Sequence, residues 1–223
     1  MNWGMIKARI DSEDLEAFKN LLEDGAFWEL SESHFVQAAS ALRDKQRLDE
    51  VLVLIEKLFE RRGDISSETL RTLEHLRAEC LLDKRNFEAA VLAYDRILSQ
   101  FKDATAYANR ALAYWELARY EDALADYREA VRLDPSNAIA HRSLGEILNK
   151  LERFREATEP LHKAIHLCPN DAQAFCALGI AYHNLKEWLK AYQALKRAVE
   201  IDPKNELAQL GKKKIEDHFE LAS

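Results

Sequence analysis

Apolar positions recur every three to four residues over most of the chain, and the pattern is interrupted at regular intervals. In "ATAYANRALAYWELARYEDALADYREAVRLDPSN", Ala104 to Asn137, one helical stripe carries Tyr107, Ala111 and Tyr114. A second carries Ala123, Tyr127 and Ala130. Stripes of this period predict two amphipathic helices, and "ELARY" between them predicts a tight turn. Asp134 and Pro135 end the second helix, because proline biases the residue before it away from the α region. The scheme repeats over Ala138 to Asp171 with His141, Leu144, Gly145 and Leu148, then Ala157, Leu161 and Ala164. It repeats again over Ala172 to Asn205 with Phe175, Leu178, Gly179 and Tyr182, then Ala191, Leu195 and Ala198. The closing phrases "RLDPSNAIAH", "HLCPNDAQAF" and "EIDPKNELAQ" place Pro135, Pro169 and Pro203 34 residues apart.

Small residues recur in register. Ala111, Gly145 and Gly179 share position 8 of the unit, and Ala123, Ala157 and Ala191 share position 20. Two antiparallel helices approach closely only where side chains are short, and larger residues then fill the space on either side. Glycine inside a helix costs about 1 kcal/mol relative to alanine, so two at equivalent places point to close packing. With this spacing and these small positions, 104–205 resembles three tetratricopeptide repeats, a helix–turn–helix family of 34-residue units.

The resemblance implies an all-α, right-handed superhelical solenoid of antiparallel helix hairpins. It extends more weakly upstream. In 71–104, Ala78, Leu81, Phe87, Ala90 and Tyr94 fit, but that unit ends in "FKDA" without proline. In 32–65, Phe35, Ala39, Leu42, Leu48, Val51, Ile55 and Leu58 fit. About five residues, "SSETL", are expected to separate these two degenerate hairpins. Leu207, Gly211, Ile215 and Phe219 recur every four residues, which predicts a capping helix over 206–223 with a polar outer face. A stack of hairpins needs its last apolar face covered. Leu15, Phe18, Leu21 and Leu22 predict an N-terminal helix ending near Gly25, within a helical cap over 1–31. The expectation is one continuous solenoid domain. Pro160 is a local conflict, although near the first turns of a helix it is less damaging.

The charge balance narrows the partners. The net charge is −7, and nucleic acid or an anionic membrane needs clustered Lys and Arg. "GKKKIED" is basic, but acids follow its lysines, which suits a solvated helix face. No signal-peptide core follows the start, and no window holds the roughly 18 apolar residues of a membrane span. Cys80, Cys168 and Cys176 are odd in number and irregular in spacing, so a reducing cytoplasm is expected. Gly-rich phosphate loops, G-x-S-x-G, H-E-x-x-H and C-x-x-C are all missing, so neither a cofactor nor catalysis is expected. His162, His166 and Cys168 have a spacing that zinc accepts, but the repeat register places the histidines on the convex exterior.

In the resembled family the first helix of each hairpin lines a concave face. Carried onto this chain, that implies a groove with Asn109, Leu112, Trp115, Arg142, Glu146, Asn149, Ile180 and His183. Trp115 is equally suited to packing, and Trp188 reads as core. One subfamily clamps acidic chaperone C-termini with Lys, Asn and Arg. Here Asn109 matches its central Asn, but His75, Glu79, Ile139 and Ser143 stand at the other places. Glu79 repels a carboxylate, and Arg142 offers a partial substitute. The expected function is a protein–protein adaptor that holds a peptide or helix, as a monomer or weak homo-oligomer. The alternative is a self-associating scaffold or assembly factor.

Overall fold

The computed structural model describes residues 3–12, 15–61 and 65–221. Its helices are α1 (Trp3–Asp11), α2 (Leu15–Glu23), α3 (Glu32–Asp44), α4 (Leu48–Arg61), α5 (Ser67–Asp83) and α6 (Phe87–Gln100), then α7 (Ala104–Glu116), α8 (Tyr120–Leu133), α9 (Ala138–Lys150), α10 (Phe154–Leu167), α11 (Ala172–Asn184), α12 (Trp188–Ile201) and α13 (Glu206–Leu221). Among the described residues there is no β-strand. The helices gather into two units, residues 1–101 and 102–223.

Hairpins in both units turn in the same way. Gln46, Arg85, Ala118, Glu152 and Lys186 adopt positive φ between 57° and 61°. Each follows the first helix of a hairpin, and the next residue's N–H returns to a carbonyl five places back, as Arg119 does to Tyr114 and Arg153 to Leu148. This left-handed cap satisfies the orphan carbonyls at the helix end. The degenerate hairpins α3–α4 and α5–α6 therefore share the turn of the regular ones, although their sequences diverge.

The aspartate–proline phrases join one hairpin to the next. Asn137, Asp171 and Asn205 accept from the backbone N–H groups of Ala140, Ala174 and Ala208, which caps α9, α11 and α13. Asp103 caps α7 through Ala106 N–H, so "FKDA" keeps the cap without the proline. A side-chain cap of this kind contributes about 1 kcal/mol.

In residues 1–101 the core is aliphatic and aromatic. Phe27 lies edge-on to Phe35 at 5.2 Å, and Trp28 stacks on Phe35 at 5.7 Å. Phe18, Leu21 and Leu22 are buried with them, as expected, while the Leu15 side chain lies outside the described residues. The helix expected to end near Gly25 is α2, and α1 precedes it. One expectation changes here. "SSETL" is no linker, since Ser66 accepts from Thr69 N–H and starts α5 at Ser67.

In residues 102–223 buried alanines let the hairpins close. Ala106, Ala140, Ala174 and Ala208 occupy the third place of successive first helices and are all buried. Pro160 is the seventh residue of α10 and is buried, and the helix continues through it. The seam of α13 differs from the expected one. Among its described side chains Ala208 and Ile215 are buried, while Leu207 and Phe219 are exposed. The reason is register. Helices α7, α9, α11 and α13 begin at 104, 138, 172 and 206, so α13 is the first helix of a further unit and turns Leu207 the way α9 turns Ile139.

Candidate functional site

Within residues 102–221 the first helices of the hairpins line a run of concavities. The first, about 480 Å³, has Asn109, Leu112 and Trp115 of α7 on one wall, Ile139, Arg142, Ser143 and Glu146 of α9 on the other, and Tyr127 of α8 among its lining residues. The second, also about 480 Å³, shares Trp115 and Glu146 and adds Asn149, Cys176, Ile180 and Leu207. The third, about 140 Å³, shares Ile180 and Leu207 and adds His183, Leu210 and Lys214. The shared residues make the three contiguous. All eight side chains expected in the groove line it. Leu207, Leu210 and Lys214 were missed, because α13 was read as a cap. The 34-residue step from Ala172 to Glu206 was the available signal.

Aliphatic side chains stand out of this face. Ile139 is 64% exposed, Leu207 58%, Leu210 54% and Leu112 43%. Trp115 is half-buried, with its ring edge-on to Tyr120 at 5.8 Å, so it both packs and lines the groove. Trp188 is likewise only half-buried, against His183 at 5.1 Å and His218 at 4.6 Å.

The polar groups divide into latches and open acceptors. Arg142 Nη1 donates to Asp171 Oδ2 at 2.8 Å, while Asp171 Oδ1 accepts from Gln173 and Ala174 N–H. Arg142 therefore locks α9 to the cap of α11, and its charge is already shared with the Asp171 and Glu146 carboxylates. In the other unit the Glu79 carboxylate is paired with Arg43 at 2.5 Å. Asn149 Nδ2 donates to the Ala177 carbonyl at 2.8 Å. Burial pushes the Tyr127 phenol up to about 12, moderated by its Ser143 hydrogen bond. Burial, with Glu146 nearby, pushes the Cys176 thiol up to about 11, so it stays protonated and poorly nucleophilic. His162 and His166 are exposed, and His162 Nε2 is in hydrogen-bond contact with the Tyr182 hydroxyl at 2.8 Å.

Glu146 is held above the usual carboxylate range. Burial raises it, Arg142 opposes this and Asp171 adds to it. A carboxyl whose folded-state pKa is raised favours folding in its protonated form. The ionised side chain thus costs stability above the raised value, and the cost fades as pH falls through it. Glu146→Gln is expected to raise the thermal midpoint at neutral pH. That gain should vanish below about pH 4.3, where the unfolded chain also holds the proton. Melting curves across this range check the sign.

Comparisons with known proteins meet this geometry. Residues 108–172 match a tetratricopeptide repeat family model, and 172–205 match a second. Residues 108–205 carry tetratricopeptide repeats. Over 69 residues it is 41% identical to the TPR repeat-containing thioredoxin TTL4 of Arabidopsis thaliana, which is 30% of this chain and 10% of that protein. The chain spans a tenth or less of the curated relatives it matches. Its all-α superhelical fold is that of YrrB, a TPR protein with an unusual peptide-binding site. The TM-score is 0.71 at 20% identity, covering 88% of this chain and 98% of YrrB. The first TPR of Spaghetti (RPAP3), bound to the HSP90 peptide SRMEEVD, matches with a TM-score of 0.51 at 23% identity. That match covers 54% of this chain and 94% of that one. No helix among the described residues is long and apolar enough to cross a membrane.

Proposed function

We propose that this chain is a protein-interaction module that holds an extended segment or helix of another protein along the concave face of residues 102–221. One observation carries the reading: contiguous concavities on four successive first helices, with Leu112, Ile139, Leu207 and Leu210 exposed along them. Exposed aliphatic rows of this kind mark surfaces that a partner covers, and a groove between parallel helices suits a peptide or helix. The solved relatives support it by analogy, since peptides are named for YrrB and for the RPAP3 domain. Such a module acts as an adaptor without catalysis. Three free cysteines suit a cytoplasmic setting.

The test is site-specific photocrosslinking in the source cell. Benzoylphenylalanine replaces Leu112 in the groove, or Leu189, which is exposed on the second-helix side. A crosslinked partner at 112 and none at 189 is expected. A partner at 189 alone overturns the groove, and a homodimer at 112 moves the reading to self-association.

A further inference from the structure

We infer that the second concavity takes a basic side chain of the partner, a lysine or arginine flanked by aliphatic residues, on Trp115, Glu146 and Asn149. This inference rests on the groove reading proposed above and deepens it.

Glu146 and Asn149 both line this cavity. The Glu146 carboxylate lines both of the larger cavities. Its nearest cation, Arg142, commits Nη1 to Asp171, and its Nε stands 3.6 Å from Glu146 Oε1, an ion-pair distance too long for a hydrogen bond. Asn149 lies one turn further along α9. Its amide orientation is fixed by the bond to the Ala177 carbonyl, which leaves Oδ1 as the free end. That Oδ1 is buried with no hydrogen-bond partner. A buried acceptor left unpaired is costly, and a donor that reaches it recovers the loss. Trp115 contributes an indole to the same cavity, the preferred ring for a cation.

An ammonium or guanidinium suits this lining. It donates to the partly exposed Glu146 carboxylate and lies against the indole, with the Asn149 amide at the cavity wall. An acidic side chain satisfies none of them. The charged residues among those lining the two cavities are Glu116, Arg142 and Glu146, and the single cation there is latched to Asp171. The flanks are apolar on both sides, Leu112 and Ile139 towards the first cavity, Ile180 and Leu207 towards the third. The partner segment is therefore a basic residue set between aliphatic ones.

The test selects a random-peptide library on the full chain. The strongest binder is then titrated by fluorescence anisotropy against wild type, Glu146→Gln and Leu112→Ser/Ile139→Ser. Enriched peptides should carry Lys or Arg between Leu, Ile, Val or Met. Glu146→Gln should weaken binding about tenfold or more, as loss of a charge-assisted hydrogen bond does. Acetylating the peptide lysine should produce the same loss in wild type and little further loss in Glu146→Gln. Peptides that lose binding in Leu112→Ser/Ile139→Ser but are acidic or uncharged would leave the groove standing and overturn the basic side chain. Basic peptides that bind Glu146→Gln as tightly as wild type overturn it too. Peptides indifferent to the Leu112/Ile139 change, or no enrichment at all, overturn the groove and this inference together.

Discussion

Arg110→Met is expected to destabilise residues 102–221 by about 3–5 kcal/mol, the cost of removing one member of a buried ion pair. Arg110 of α7 and Asp126 of α8 form a bidentate pair, Nε to Oδ2 at 2.7 Å and Nη2 to Oδ1 at 2.8 Å. Their side chains are only 17% and 8% exposed. The guanidinium also lies 5.6 Å from the Tyr107 ring and 5.7 Å from the Tyr114 ring. Methionine keeps most of the apolar stem but removes both of these hydrogen bonds and the positive charge beside Asp126. The pair itself need not be a net gain, because both ions give up hydration to form it. Arg110→Met/Asp126→Leu should therefore recover most of the loss. Urea unfolding of the four species closes the cycle. A loss below about 1 kcal/mol in the single variant would show that the pair behaves like an exposed one. Addition of salt should change the single-variant loss little, since screening acts mainly on exposed charges.

The sequence showed the regular hairpins but not this pair, and the difference is physical. A helix hairpin repeats its spacing because a small residue must stand wherever a side chain of the facing helix presses close, as Leu161 does on Gly145 and Leu195 on Gly179. Ala111, Gly145 and Gly179 therefore stand 34 residues apart and can be read directly. An arginine and an aspartate on facing helices leave no periodic trace, since charge at those places also suits a wet surface. The same holds for Arg142. Its position put it in the groove, where it does lie, but only the contact with Asp171 reveals a latch. Asn149 shows the reverse case. Its place in the groove was legible, yet its unpaired oxygen depends on which way the amide turns, which is set by the Ala177 carbonyl. The hairpin turns were illegible for another reason. None of their left-handed residues, Gln46, Arg85, Ala118, Glu152 and Lys186, is glycine, so no sequence signal marks a conformation that the helix-end hydrogen bonds impose.

The glycines themselves support a second large effect, with the sign opposite to helix propensity. Gly145→Ala should destabilise residues 102–221 by about 2 kcal/mol, although alanine gains up to about 1 kcal/mol over glycine inside a helix. A Cβ at 145 would lie 2.3 Å from Leu161 Cγ and 2.6 Å from its Cδ2. The Cγ is the branch point of a fully buried leucine, so relief requires a shift of the whole side chain or of α9 against α10. Gly211 is the control. There the nearest atom is a terminal methyl, Leu195 Cδ1 at 3.1 Å. Gly211→Ala should be neutral or stabilising. The decisive comparison is the Leu161→Ala background, which loses about 2–5 kcal/mol alone. With Cγ, Cδ1 and Cδ2 gone, adding Gly145→Ala should now stabilise by about 1 kcal/mol. Equal effects of Gly145→Ala in the two backgrounds would sink the clash as its cause. The position also joins packing to the groove, because Gly145 precedes Glu146 on α9. If α9 moves to admit the methyl, the carboxylate moves with it, and Gly145→Ala should weaken the selected peptide under conditions where the chain is still fully folded. If Leu161 moves instead, affinity stays unchanged while stability falls, so the two measurements together tell which side of the contact yields.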